Sequence, residues 1–117
     1  MSADSQLYLA LGYCLLLVIL AVIFYKNPPK QINSLYGYRT PRSQANPTIW
    51  KAANDFSRTY MLKVCLASFA LPFLGYLLFS DQNLIITVIV HTILVVSTFF
   101  TTEQYLNTNF DKEGNPK

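Results

Sequence analysis

Apolar residues in this chain neither alternate nor recur at helical spacing. They fill three unbroken blocks parted by polar segments. The first runs from Leu7 to Tyr25 and carries no charge. Its 19 residues reach roughly 28 Å as a helix, close to the hydrocarbon thickness of a bilayer. The second runs from about Tyr60 to Phe79, with one charge, Lys63, near an end where its stem can carry the ammonium to the headgroups. The third runs from Leu84 to Thr102 and is again uncharged. In lipid each segment must pair its own backbone groups, so each block is expected to be a helix. The pattern predicts an all-α membrane protein. Three transmembrane helices span about 7–25, 60–79 and 84–102, with a structured cytoplasmic loop between the first and second. The basic loop and a pre-helix occupy 26–59, and a tail occupies 103–117.

Composition strengthens the assignment. The 117 residues are 52% hydrophobic and 13% charged, about half the charged share of a soluble domain. The flank Met1 to Gln6 holds Asp4 and no base, unlike the positive start of a secretory signal, so the first block is expected to stay in place.

Charge then sets an orientation. Lys26, Lys30, Arg39, Arg42, Lys51 and Arg58 face a single acid, Asp55, between residues 26 and 58. The short connection Ser80-Asp81-Gln82-Asn83 has no base. The positive-inside rule places the long loop and the C-terminus in the cytoplasm and the N-terminus outside. The net charge of +3 comes from this juxtamembrane loop. It points to anionic lipid and topology, and not to nucleic acid. Cys14 and Cys65 are expected at different depths, as free thiols packed among helices.

The loop carries most of the polar information. Pro28-Pro29 stops the first helix. Tyr36-Gly37-Tyr38 reads as a turn with Gly37 free to take positive φ. Thr40-Pro41 reads as a cap followed by a first-turn proline, and Asn46-Pro47 repeats the device. From Pro47 nothing interrupts a helix until Pro72, which is expected to kink the second span. Trp50, Asn54, Ser57 and Met61 share one face of that helix.

These residues resemble a known signature. The run Asn33-Ser34-Leu35-Tyr36-Gly37-Tyr38-Arg39-Thr40, followed by Ser43, Asn46, Trp50 and Asn54, is similar to that of the SdpI family. The resemblance implies a three-helix unit in the bacterial cytoplasmic (inner) membrane. It also implies that Asn33, Tyr36, Gly37, Arg39, Thr40, Ser43, Asn46, Trp50 and Asn54 form a binding loop. The family's named member is a longer immunity protein. It protects a bacterium against its own secreted killing peptide and captures a transcriptional autorepressor at the membrane.

Two readings of the loop side chains stand side by side. Arg39 either binds a lipid phosphate, a peptide carboxylate or a partner's acid, or it ties the loop together through backbone carbonyls, the preferred reading. Trp50 is either an interfacial anchor, again preferred, or a groove wall. A buried network of Asn33, Arg39, Asn46, Trp50 and Asn54 is expected to hold the loop to the helix ends. His91, in the middle of the third helix, is expected to be neutral and satisfied by Thr87, Thr92, Ser97 or Thr98. The tail is expected to continue as helix, with Leu106 and Phe110 on one face and Glu103 near a base of the loop.

No nucleophile–base pair, carboxylate pair or metal-ligand cluster is legible, so an enzyme is disfavoured and no cofactor or metal is expected. Three helices with few polar groups do not line a transport path. What remains is a binding and signalling module for a peptide, lipid or regulator, or an accessory subunit of a larger bacterial membrane complex. Homo-oligomer contact fits either one.

Overall fold

The computed structural model describes residues 1–117. It is all helical, in the order α1 (Ala3–Lys26), α2 (Pro47–Ala67), α3 (Ala70–Leu78), a single 3-10 turn (Ser80–Gln82) and α4 (Asn83–Asn109). Three stretches are long and apolar enough to cross a membrane: Ala3–Lys26, Pro47–Leu78 and Ser80–Asn109. The molecule is a rod of 53 × 24 × 19 Å.

Local chemistry sets the helix ends. The Ser2 side chain accepts from the Ser5 amide at the start of α1. Asn46 accepts from the Ile49 amide at 3.0 Å, with Pro47 at the first helical position, where its missing N–H costs nothing. The helix expected to kink at Pro72 is interrupted one turn upstream, at Ser68–Phe69. Proline has no N–H for the carbonyl four residues back and crowds it. The Ser68 carbonyl is taken instead by the Leu71 amide at 3.0 Å and by the Cys14 thiol at 3.6 Å.

That thiol contact revises the expected depths. Cys14 faces Ser68, three residues from Cys65, so the two cysteines do not sit at well-separated levels; both are buried and free. Counting from block ends misled because α2 runs unbroken from Pro47, and no residue marks where its membrane section begins.

Inside the spans the buried positions are small or polar: Ala10, Cys14, Ala21, Cys65, Ser68, Thr87, His91 and Thr98. Leu16, Leu20, Phe73, Leu77, Ile89 and Ile93 point outward. Lipid tails are as apolar as leucine, so burying leucine between helices gains little, while small residues permit close contact. The apolar core is instead at the loop end, where Ile49, Ala53, Leu106 and Phe110 pack together. α4 reaches Asn109, seven residues beyond its apolar block; this extension supplies Leu106, and Phe110 follows as its extended C-cap, so the helix expected to carry both ends one residue short.

The opposite end is locked by two buried amides. Gln6 donates to the Asp81 carbonyl and accepts from the Leu84 amide at 3.0 Å. Asn83 donates to the Pro72 carbonyl at 2.9 Å and accepts from the Thr87 hydroxyl at 3.1 Å. Gly75 lies so close to Asn83 that a Cβ there would overlap its amide.

His91 departs from expectation. It is fully buried, its ring edge meets Tyr13 at 5.2 Å, and neither ring nitrogen has a hydrogen-bond partner in the chain. The neighbouring hydroxyls are spent elsewhere: Thr87 on Asn83, Thr92 on the Val88 carbonyl, Ser97 on the Leu94 carbonyl and Thr98 on the Met61 sulfur. Helical Ser and Thr readily bond the preceding turn, and Thr92 and Ser97 do so here.

Candidate functional site

The loop from Asn27 to Asn46 is closed against the helices by a series of clasps. At the end of α1 the Ile23 carbonyl receives the Asn27 backbone and side-chain amides, each at 3.0 Å. The Arg58 guanidinium lies 4.8 Å over the Tyr25 ring and donates to the Tyr25 carbonyl. The Tyr36 hydroxyl donates to the Asn27 carbonyl at 2.8 Å.

Asn33 folds its own segment. Its Oδ1 accepts from the amides of Leu35 and Tyr36 at 2.9 and 2.7 Å, an Asx turn. The chain then reaches Gly37, whose φ is +103°. A Cβ at Gly37 would come within 2.5 Å of Pro29 Cγ and 2.7 Å of Asn54 Oδ1. Both the backbone geometry and the space therefore require glycine.

Asn54 is the central clasp. It is 1% exposed. Its Oδ1 accepts from the Tyr38 amide at 2.7 Å, and its Nδ2 donates to the Trp50 carbonyl at 3.0 Å and to the Tyr38 carbonyl at 3.4 Å. Trp50 does not anchor the protein at a membrane interface as expected. It is fully buried, and its indole N–H donates to the Pro29 carbonyl at 3.0 Å. Its ring is enclosed because the loop lies across this face of α2.

Thr40 and Ser43 cap each other. The Thr40 amide donates to Ser43 Oγ at 2.8 Å, and the Ser43 amide to Thr40 Oγ1 at 3.1 Å. Pro41 follows in a turn and starts no helix. Asn46 caps α2 and also donates to the Gly114 carbonyl at 2.9 Å. Arg42 completes the closure, with its Nη2 donating to the carbonyls of Phe110 and Asp111 at 2.8 and 3.0 Å.

The expected network of Asn33, Arg39, Asn46, Trp50 and Asn54 takes a different form. None of these five side chains bonds another of the five; each bonds main chain. Of the five only Trp50 and Asn54 are buried; Asn33, Arg39 and Asn46 are not. Main-chain partners dominate because every turn of an irregular loop leaves carbonyls and amides without a ladder.

Arg39 is tied at one point only, Nε to the Asn33 carbonyl at 2.8 Å. Its terminal nitrogens make no hydrogen bond in the chain. It stands on the rim of a groove of about 320 Å³ lined also by Gly37, Tyr38, Met61, Val95 and Phe99.

Three participants were not singled out from sequence: Arg42, Arg58 and Tyr38. Their clasps reach 64 to 69, 33 and 61 residues along the chain, beyond any local motif. Glu103 is near Tyr38 and forms no ion pair with the loop; both ion pairs use Asp55, with Lys51 at 2.6 Å and Arg58 at 3.2 Å. Partial burial acts to raise the Asp55 pKa, but the hydrogen bonds and charges of Lys51 and Arg58 outweigh it and hold the carboxyl below its ordinary range. Burial, with Glu103 beside it, pushes the Tyr38 phenol up. No three of the His, Cys, Asp and Glu side chains are grouped to hold a metal ion.

The family model described as the SdpI/YfhL protein family matches residues 30–102, from the loop through α2 and α3 into α4. The chain is also 33% identical over 99 residues to a Bacillus subtilis (strain 168) protein described as uncharacterized protein YfhL, covering 85% of this chain and 86% of that one. No solved structure matches. With the clasped loop and most of the bundle inside the matched region, the chain belongs to the SdpI/YfhL protein family.

Proposed function

We propose that this small membrane protein is a binding and signalling module of a bacterial inner membrane, of the immunity type that protects against membrane-active peptides. Arg39 and its groove carry the reading. The guanidinium has free donors at a cleft whose lining mixes Tyr38, Met61, Val95 and Phe99 with Gly37, Thr40 and Thr98. A carboxylate or backbone carbonyl of an amphipathic peptide would meet the donors while its apolar side chains met the wall. The clasps behind Arg39 hold the rim in place before binding, which lowers the ordering cost. The positive-inside asymmetry supports a cytoplasmic side for this face. Family membership and a helical membrane fold with no reactive constellation point to a non-enzymatic role.

The test is deletion in the native host and complementation at matched expression, scored by sensitivity to membrane-active peptides. Wild type should restore resistance and Arg39→Ala should not, although the variant loses only one loop hydrogen bond. Trp50→Ala is not a surface probe, since it would empty a buried site. If deletion changes nothing in this screen while a larger membrane complex loses a component, the chain is an accessory subunit, a reading favoured by its long lipid-facing flanks.

A further inference from the structure

The depression between the end of α1 and the segment that follows is lined by Lys26, Asn27, Lys30, Gln31, Asn33 and Tyr36, with Pro28, Pro29 and Ile32 completing it; it is shallow and open to the outside, with a volume of about 740 Å³. We propose that it binds the anionic headgroup of a phospholipid, with Leu35 inserted among the lipids beside it. The inference is independent of which ligand meets Arg39.

Position is the first argument. The Tyr36 ring packs edge-on against Phe24 at 5.8 Å. Phe24 is in the last turn of an apolar span, where hydrocarbon gives way to headgroups. The segment therefore folds back to the membrane surface and does not project from it.

Leu35 is the second. It is 92% exposed, yet its own amide is fixed by Asn33 and its neighbour Tyr36 is fixed at both amide and hydroxyl. A leucine held outward by a hydrogen-bonded turn gains nothing in water and gains burial in lipid.

Charge is the third. The ammonium groups of Lys26 and Lys30 have no hydrogen bond or carboxylate in the chain, since both ion pairs use Asp55. No acid lines the bowl. The negative end of α1 would oppose a phosphate, but Asn27 and Arg58 take two of its last carbonyls, those of Ile23 and Tyr25.

The experiment uses the full chain in nanodiscs. Native mass spectrometry measures retention of phosphatidylglycerol against phosphatidylcholine. Lys26→Gln with Lys30→Gln removes no hydrogen bond or ion pair, and thermal unfolding of the pair is compared with wild type to confirm that the fold is kept. Roughly fivefold weaker phosphatidylglycerol binding is expected per lysine, about twenty-five-fold for the pair, with no change for Lys112→Gln on the tail. In parallel, Leu35→Cys is labelled with a fluorophore; Cys14 and Cys65 are 0% and 1% exposed and do not compete. The label should be quenched by shallow spin-labelled lipid and shielded from aqueous iodide. Unchanged phosphatidylglycerol affinity in the lysine pair, or an iodide-accessible label that lipid does not quench, overturns the proposal. Equal displacement by soluble glycerol phosphate would show a site for free phosphate and overturn the lipid assignment.

Discussion

Replacing Asn54 by alanine should open the loop without dissolving the bundle. The side chain is nearly inaccessible and serves three main-chain groups, at 2.7, 3.0 and 3.4 Å. Trp50 O keeps a helical partner, so its loss is minor. The Tyr38 amide has no other acceptor and would be left unpaired in a half-buried place. An orphaned buried donor costs about 1–3 kcal/mol, the loss of its bond included. The loop should therefore open more easily by about 1–3 kcal/mol, which is roughly five- to over a hundredfold in its open fraction. Amide hydrogen exchange in mild detergent reads this at Tyr38 and across residues 33–45, while the α1 and α4 interiors should keep their protection. The emission of Trp50, the single tryptophan, should shift to the red as its indole is uncovered. Ser34→Ala, exposed and without a hydrogen bond, is the control and should stay within about 0.5 kcal/mol. Unchanged exchange at Tyr38 in Asn54→Ala would refute the clasp, whatever happened to global stability.

Other expectations follow from the same contacts. Gly75→Ala would drive a methyl into the Asn83 amide and should cost about 1–3 kcal/mol in thermal or denaturant unfolding. Gly12→Ala, with nothing within 4 Å of its Cβ, should be neutral or stabilising by up to about 1 kcal/mol. Arg42→Met should free the C-terminal segment, costing about 2–4 kcal/mol for its charged donors, seen as faster carboxypeptidase trimming. The Asp55 pKa is lowered in the folded protein, so its stabilisation is complete above the ordinary carboxylate value of about 4 and is lost as pH falls through the lowered value. Because Asp55 is 38% exposed, the effect is small and salt-screened. It should appear as a shallow acid slope in unfolding midpoint that Asp55→Asn abolishes.

Class and span count were legible along the chain because a bilayer imposes length and apolarity on each crossing separately, with no reference to what packs against it. The caps were legible for a related reason. Asn46-Pro47 acts on its own helix, and Gly37 answers to its own φ. Leu106 and Phe110 were placed on one face by helical spacing alone. The loop motif marked the residues that close the site, yet it left their burial undecided. Trp50 became core because the loop lies across its face of α2 and takes its indole N–H at the Pro29 carbonyl, while Arg39 stayed exposed with a single bond to the Asn33 carbonyl. Arg42, Arg58 and Gln6 escaped notice since their partners are backbone carbonyls far along the chain, and a carbonyl has no sequence signature. His91 was visible as an intramembrane polar residue, but whether it found a partner depended on where four nearby hydroxyls turned. Composition and periodicity determined what crosses the membrane; the meeting of distant segments decided which polar groups are satisfied, because that depends on positions in space that no local pattern encodes.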